Sequence, residues 1–196
     1  MWRGGLVPDQ AAGVQVLIVD GVTDTGCLAT QLAALWGAAT TVLCPARAAA
    51  LARALGAHTV LADSEGEEEL VVAAARAGPY DLVVECGELL PAARLSSLLA
   101  PNGRHTSARP GTIPSDGWGS LRAFLLPSWR ALVTAPRLPR PSRTAEPLRY
   151  VSRVVQAGQV QPVLDQVVGP AEVGPALTRL ATQETVGKSV VAFDRL

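Results

Sequence analysis

A parallel β-sheet covered by helices on both faces, the doubly wound α/β fold class, is what this sequence predicts. Short apolar runs alternate along the chain with helix-forming segments of about ten residues, which is the alternation that such a sheet requires. The run Tyr80–Glu85 is almost continuously apolar, as expected of a strand that is buried on both faces. Apolar residues make up 48% of the 196 residues, so the chain can bury a substantial core.

The first strand, turn and helix occupy residues 13–36. An apolar run ending at Val19 is followed by small and polar residues, and then by apolar residues at helical spacing, namely Leu28, Leu32, Leu35 and Trp36. A helix that begins at such a turn presents unpaired amides and the positive end of its dipole, which together bind a phosphate. The unit therefore indicates a nucleotide site, with an ordinary strand–helix unit that binds no ligand as the alternative.

The turn itself departs from the dinucleotide fingerprint G-x-G-x-x-G. Gly21 and Gly26 remain, whereas Thr23 and Asp24 stand at the usual interior glycines. Gly26 still lets the helix pack closely on the strand, and the helix can be capped by Thr23, Asp24 or Thr25.

Charged side chains near the turn bear on which nucleotide can bind. Asp20 and Asp24 place two carboxylates where a pyrophosphate would lie, and like charges weaken its binding unless a cation intervenes. NAD sites carry an acid about twenty residues past the turn, at the end of the second strand. That corner holds residues 44–47 and no carboxylate. Arg47 either pairs with a 2′-phosphate there, which favours NADPH over NADH, or is a solvated surface residue.

The remaining elements up to residue 108 follow the same alternation. Strands are predicted at residues 40–44, 58–61, 80–85 and 104–108, with helices between them at residues 46–55, 65–75 and 91–99. Gly56 and Gly78-Pro79 end two of these helices, and residues 101–103 are predicted as a turn.

The alternation breaks at residues 109–147, which contain seven prolines together with aromatic and arginine side chains. Prolines predict irregular backbone, and the aromatic residues predict packing against another part of the protein. The segment is either a solvated loop or a flap that reaches an anionic ligand, and residues 130–134 are a candidate sixth strand.

Regular elements return after this segment. A helix at residues 148–157, a strand at 161–168, a helix at 170–182 and a closing strand at 187–193 are predicted. We divide the chain into a linker-like start (1–13), a dinucleotide-binding domain (14–158) and a C-terminal return segment (159–196).

Charge, cysteine and histidine content exclude several classes of protein. The 17 basic and 17 acidic side chains argue against nucleic-acid binding through bulk charge. The three cysteines lie far apart and suit small buried side chains in a reducing compartment. His58 and His105 are the only histidines, so no metal site is predicted. No apolar run nears the ~18 residues of a membrane span, no targeting peptide is readable, and no nucleophile motif identifies a catalytic residue.

Several segments, taken in order, are typical of one enzyme family. Residues 16–19, 31–33 and 36–38 match its first strand and helix, residues 51–57 a helix end, and residues 80–87 its fourth strand. The tail is the most specific part, because residues 155–163, Ala176-Leu177 and residues 187–191 give a helix, glycine, strand, helix, glycine-lysine order. The sequence resembles the zinc-free quinone-oxidoreductase branch of the medium-chain dehydrogenase/reductase superfamily over nearly its whole length except residues 109–147.

This resemblance implies a Rossmann cofactor domain with a small C-terminal extension, from which the family's N-terminal catalytic barrel is missing. It implies NADPH-dependent reduction of a quinone, an enone or another small carbonyl compound, with catalysis impaired by the missing barrel and the altered turn. The candidate cofactor contacts are Thr23, Asp24, Thr25 and Gly26 at the pyrophosphate, Arg47 at the 2′-phosphate, and Gly87 near the adenosine or ribose.

Two functions of other classes are alternatives. The chain is a non-catalytic module that binds a protein partner, or itself as a homodimer, through an apolar face of the tail that the missing barrel would cover. Asp20-Gly21 before a turn is also found in S-adenosylmethionine methyltransferases, although the tail argues against that family. For the compartment, an intracellular, cytoplasmic protein is the default expectation, and the resemblance implies a mitochondrial one.

Overall fold

Five parallel strands form the main sheet of the computed structural model, which describes residues 5–63, 66–108, 145–182 and 184–193. They are β1 (Gln15–Val19), β2 (Ala39–Pro45), β3 (Thr59–Asp63), β4 (Tyr80–Glu85) and β5 (Leu99–Ser107). Their spatial order is β3-β2-β1-β4-β5, with every neighbouring pair parallel. The chain builds outward from β1 to β3 and then returns to β4 on the other side of β1. The order therefore reverses between β1 and β4, where sheets of this class open a ligand crevice at the carboxyl ends of the strands.

Helices cover both faces of this sheet. Alternate residues of β1 belong to opposite buried clusters, with Ile18 in one and Val19 in the other. Helices α1 (Asp24–Leu35) and α2 (Ala49–Ala54) pack on the Ile18 side, and α3 (Glu67–Ala77) and α4 (Ala92–Leu95) pack on the Val19 side. Burial on both faces is why the strands are almost continuously apolar, and the predicted doubly wound fold class is confirmed.

Two predictions about the fifth strand and the helix before it are wrong. Residues 101–103, predicted as a turn, lie inside β5, where the pairing with β4 shifts register between Tyr80 and Leu82. A Cβ on Gly103 would lie 2.6 Å from the Tyr80 carbonyl oxygen, so this glycine permits a close approach of the two strands. The helix predicted at residues 91–99 is shorter, since α4 gives way to a 3₁₀ turn at Ser96–Leu98.

The return segment follows α5 (Glu146–Gln156) and forms a second sheet of its own. Strand β6 (Leu164–Val168) pairs in parallel with β7 (Lys188–Val191), and helix α6 (Val173–Ala181) lies between them in sequence. The predicted strand at 161–168 thus begins three residues late. The candidate sixth strand at 130–134 and residues 109–144 around it lie outside the described residues.

Backbone and side-chain contacts attach the return segment to the main domain. The Gly187 amide donates to the Val22 carbonyl oxygen at 2.8 Å, which places β7 beside the turn after β1. On α5, the Tyr150 hydroxyl accepts a hydrogen bond from Trp36 Nε1 at 2.8 Å, and the two rings meet edge to face. At the other end of the chain, Leu6 belongs to the buried cluster on the Ile18 side, so the predicted linker-like start contributes to the core.

Large apolar side chains remain exposed mainly on the return segment. They are Leu164, Val167, Leu177, Leu180, Val191 and Phe193. Within the described ranges, no helix is long and apolar enough to cross a membrane.

Candidate cofactor crevice

A crevice of about 290 Å³ opens at the carboxyl ends of β1 and β4, where the strand order reverses. Its wall is formed by the turn after β1, by Pro45 at the end of β2 and Arg47 after it, by residues 86–89 after β4, and by the return segment. Five of the six candidate cofactor residues line it: Thr23, Asp24, Thr25, Arg47 and Gly87. A larger groove of about 550 Å³ runs along β3 and α3, but it contains none of these residues. The smaller crevice is therefore the candidate site.

The sixth candidate residue, Gly26, lies beneath the crevice in the first turn of α1. A Cβ at this position would collide with the Asp20 carbonyl oxygen and with the Gly21 backbone. Gly21 is also tightly packed, since a Cβ there would lie 2.6 Å from Val42 Cγ1. The two glycines therefore bring the N-terminus of α1 close to the end of β1, which is the packing function of the last glycine in a dinucleotide fingerprint.

Thr23 is the residue that caps α1. Its Oγ1 accepts a hydrogen bond from the Gly26 amide at 3.1 Å and donates to the Asp20 carbonyl oxygen at 3.0 Å. The sequence left Thr23, Asp24 and Thr25 open as caps, and the structure selects the first. Because the Gly26 amide is satisfied in this way, the amides of Asp24 and Thr25 are the ones at the helix N-terminus that can meet a phosphate.

Asp24 forms an ion pair with Lys188, the only lysine of the sequence. The distance from Asp24 Oδ2 to Lys188 Nζ is 3.1 Å, and each side chain is about half exposed. Sequence reasoning placed the Asp24 carboxylate at the pyrophosphate but missed its partner. The lysine therefore offsets the negative charge that Asp24 brings to the N-terminus of α1.

Among the described residues, no ion pair of this kind offsets the charge of Asp20. It is the only described residue other than glycine with a positive φ, 59°, in the left-handed region where glycine is favoured and aspartate is tolerated. Its carboxylate lies so close to Gly87 that a Cβ on Gly87 would collide with it. Burial raises the pKa of Asp20 above its usual range, and the positive charge of Arg47 partly opposes this.

Comparison with known proteins identifies the family to which this fold and crevice belong. Residues 55–191 match the family described as zinc-binding dehydrogenase. The chain belongs to this family.

Two relatives of this zinc-binding dehydrogenase family member carry functional names. The mitochondrial NAD(P)H oxidoreductase RTN4IP1 of Danio rerio is 30% identical over 212 residues, covering 97% of this chain and 52% of the relative. The chloroplast envelope quinone oxidoreductase homolog of Arabidopsis thaliana is 27% identical over 176 residues, covering 90% of this chain and 51% of the relative. These matches confirm the resemblance to the medium-chain dehydrogenase/reductase superfamily, and both relatives are named as oxidoreductases. The chain spans about half the length of the curated relatives it matches.

Solved structures of the same family share the fold. A putative alcohol dehydrogenase from Sinorhizobium meliloti superimposes with a TM-score of 0.71 at 25% identity, covering 97% of this chain and 50% of its own. A thermostable alcohol dehydrogenase from Pyrobaculum aerophilum superimposes with a TM-score of 0.68 at 22% identity, covering 94% of this chain and 52% of its own.

The family is named for zinc binding, but the described part of this chain contains no set of zinc ligands. No three histidine, cysteine, aspartate or glutamate side chains in those ranges are grouped so that they could hold a metal ion. Cys27, Cys44 and Cys86 are free and buried, as predicted. Burial raises the pKa of Cys27 and Cys44 to about 11 and that of Cys86 to about 12, so all three thiols are protonated at neutral pH. These residues do not fit a zinc site, and we assign no role to zinc.

A buried carboxylate beside the crevice was not singled out from the sequence. Glu85, the last residue of β4, is 5% exposed, and its Oε2 lies 3.2 Å from His105 Nε2 on β5. His105 is one of the two histidines of the sequence. It is absent from the crevice wall and pairs with Glu85 across the two strands.

Proposed function

We propose that the chain binds a nicotinamide dinucleotide in this crevice and serves an NAD(P)H-dependent oxidoreductase. The observation that carries the proposal is the close packing of the N-terminus of α1 against the end of β1, at the point where the strand order reverses. Thr23 caps this helix, and Gly26 permits the close packing. Membership of the zinc-binding dehydrogenase family and the named NAD(P)H oxidoreductase relative support it.

Each part of the crevice has a task in this proposal. The amides of Asp24 and Thr25, together with the helix dipole, bind the pyrophosphate. Gly87, after the end of β4, is the proposed contact for the sugar, and Leu180 and Thr185 of the return segment exclude water from the opposite wall. The bound cofactor supplies the hydride, while the chain positions the cofactor and excludes water from it.

Arg47 is proposed to select NADPH. It lines the crevice just after β2, and the end of that strand carries no carboxylate to accept a ribose 2′-hydroxyl. A guanidinium at this corner pairs with a 2′-phosphate through two parallel hydrogen bonds. The preference for NADPH over NADH therefore depends on this one side chain.

Thermal melts with NADPH and with NADH test the proposal. At a hundredfold excess over the dissociation constant, binding to the folded state stabilises it by about 2.7 kcal/mol. Arg47→Ala is expected to lose the stabilisation by NADPH while keeping that by NADH. Arg53→Ala, which removes an exposed arginine on α2 outside the crevice wall, is the matched control and should keep both. If neither nucleotide stabilises the wild-type chain, the proposal is wrong.

The substrate is proposed to be a quinone, an enone or another small carbonyl compound, because the Arabidopsis thaliana relative is named a quinone oxidoreductase homolog. Oxidation of NADPH followed by absorbance in the presence of a soluble quinone tests this step.

Mitochondria are the proposed compartment, because the Danio rerio relative is mitochondrial, and fluorescence imaging of the tagged protein tests it.

A protein-interaction module is the second candidate, favoured by the exposed apolar side chains of the return segment. Leu177 and Phe193 are 58% and 76% exposed, respectively. If this surface mediates self-association, sedimentation analysis of the wild-type chain shows a dimer and Leu177→Ser shifts it to a monomer. A monomeric wild-type chain would exclude the homodimer.

A further inference from the structure

The carboxylate of Asp20 lies in the path that a bound dinucleotide takes through the crevice. The pyrophosphate of a dinucleotide crosses such sheets at the point where the strand order reverses, which here is the gap between β1 and β4. Asp20 directly follows β1, and its carboxylate spans this gap to lie against Gly87 after β4. An ionised Asp20 therefore repels the group that the N-terminus of α1 attracts.

Few positive charges lie near Asp20 to offset its negative charge. Arg47, in the segment after β2, attracts the ionised carboxylate of Asp20. From α1, Asp24 is negative and already paired with Lys188 of β7. The remaining titratable groups near Asp20 are the Glu88 carboxylate after β4 and three protonated thiols, those of Cys27 on α1, Cys44 on β2 and Cys86 after β4. Arg47 is thus the main cation available to Asp20 among the described residues.

NADPH, whose 2′-phosphate is proposed to pair with Arg47, also competes with Asp20 for this side chain. The anionic phosphates enter a partly buried crevice, where charges interact more strongly than in water. If the nucleotide draws on the Arg47 guanidinium, the Asp20 carboxylate loses its favourable partner while gaining an anionic neighbour. Protonation of Asp20 removes both penalties and leaves a carboxyl group that can donate a hydrogen bond to a phosphate oxygen.

We propose that binding of a nicotinamide dinucleotide is coupled to the uptake of one proton from solvent by the Asp20 carboxylate. This inference rests on the proposed function and adds to it the residue that sets the affinity. The protonated crevice binds the dinucleotide, and the ionised crevice excludes it. The proton becomes bound to a carboxylate oxygen of Asp20, and no other bond changes.

The coupling predicts a specific pH dependence. Above the pKa of Asp20 in the free protein, the protonated fraction falls about tenfold per pH unit, and the apparent dissociation constant rises by the same factor. Asp20→Asn has no proton to take up, keeps the shape of the side chain and tolerates the left-handed backbone. We expect it to bind with a dissociation constant that is independent of pH and lower than that of the wild-type chain at the alkaline end of the range.

Isothermal titration calorimetry of the full chain with NADH tests the inference. NADH lacks the 2′-phosphate, whose own titration near neutral pH would complicate the result. Titrations from about pH 5.5 to about pH 8.5, in two buffers of different ionisation enthalpy, give the dissociation constant and the number of protons taken up. Asp63→Asn, at the end of β3 and outside the crevice wall, is the matched control. If Asp20→Asn does not fold, Asp20→Gly serves instead, because glycine favours the same backbone conformation.

The expected result is uptake approaching one proton by the wild-type chain and by Asp63→Asn, and none by Asp20→Asn. If the wild-type chain and Asp20→Asn bind NADH with equal, pH-independent constants, the inference is wrong and the proposed function stands. If the wild-type chain binds more tightly than Asp20→Asn at every pH, the inference is also wrong. If neither protein binds at any pH, the inference and the proposed function are both overturned.

Discussion

The side-chain amide of Gln31 pairs with the backbone of Gln161 in both directions. Gln31 Nε2 donates to the Gln161 carbonyl oxygen at 2.8 Å, and Gln31 Oε1 accepts from the Gln161 amide at 2.9 Å. Gln31 lies on α1, whose N-terminus forms the crevice, and Gln161 lies just before β6. One side chain therefore holds the start of the return segment against the helix that is proposed to bind the cofactor.

Replacing Gln31 is expected to loosen the return segment. Gln31→Ala removes both hydrogen bonds and leaves the Gln161 backbone to water, so the free energy of unfolding should fall by about 1 kcal/mol. Amide exchange measured by mass spectrometry should accelerate at residues 161–168. Gln159→Ala, which removes an exposed glutamine two residues away, is the control and should change neither. Unchanged exchange in Gln31→Ala would show that the pair does not hold the segment.

The fold class was predictable because its signals are local. Strands buried on both faces are apolar throughout, and glycines and prolines mark most of the element ends. The error at residues 101–103 has a tertiary cause, since a proline, an asparagine and a glycine that usually make a turn instead fit a shift of register against Tyr80 on β4. The separate sheet of β6 and β7 joins strands with a helix between them, and no local pattern distinguishes it from a continuation of the main sheet.

The candidate site, like the fold, was predictable from the sequence only where its contacts are local. Thr23 and Gly26 act within one turn of chain, so their spacing was enough to indicate a cap and a close helix packing. Lys188 reaches Asp24, and Gly87 meets Asp20, from segments far apart in sequence. Only the tertiary structure brings these pairs together. The sequence could therefore predict that Asp20 and Asp24 oppose a pyrophosphate, but not that, among the described residues, Asp24 has a close ion-pair partner and Asp20 has none.

The ion pair of Lys188 with Asp24 is expected to matter more for binding than for stability. Both side chains are about half exposed, so Lys188→Met should change the free energy of unfolding by less than about 1 kcal/mol. The same change leaves the Asp24 charge beside the phosphate site and should weaken binding of NADH. Removing the charge as well, in the double variant Asp24→Asn, Lys188→Met, should restore much of the lost affinity. Independent, additive effects of the two substitutions on the dissociation constant would contradict this coupling.

Gly26 is expected to tolerate no side chain. A Cβ there meets backbone atoms of residues 20 and 21, which cannot move without separating α1 from β1. We expect Gly26→Ala to lower the free energy of unfolding by at least about 2 kcal/mol in urea titrations. The matched control is Gly174→Ala on α6, where a Cβ meets nothing within 4 Å and alanine favours the helix, so stability should rise by about 0.5 kcal/mol. Equal effects of the two substitutions would show that the packing at Gly26 is not close.

The pH dependence of stability, measured without a ligand, reports the free-energy cost of burying the Asp20 carboxylate. Burial raises the pKa of Asp20 in the folded protein above the ordinary value of 3.8, although Arg47 lowers it in part. The folded state therefore binds more protons than the unfolded state in the pH range just above 3.8, and the free energy of unfolding contributed by Asp20 falls as the pH rises through that range. Asp20→Asn removes this titration, so its stability relative to the wild-type chain should be greatest at neutral pH and should shrink as the pH falls toward 3.8. Urea unfolding midpoints of both proteins across this range measure the difference, with Asp63→Asn as the control for a carboxylate elsewhere. A difference between Asp20→Asn and the wild-type chain that stays constant with pH would mean that Asp20 ionises as readily in the folded protein as in the unfolded chain.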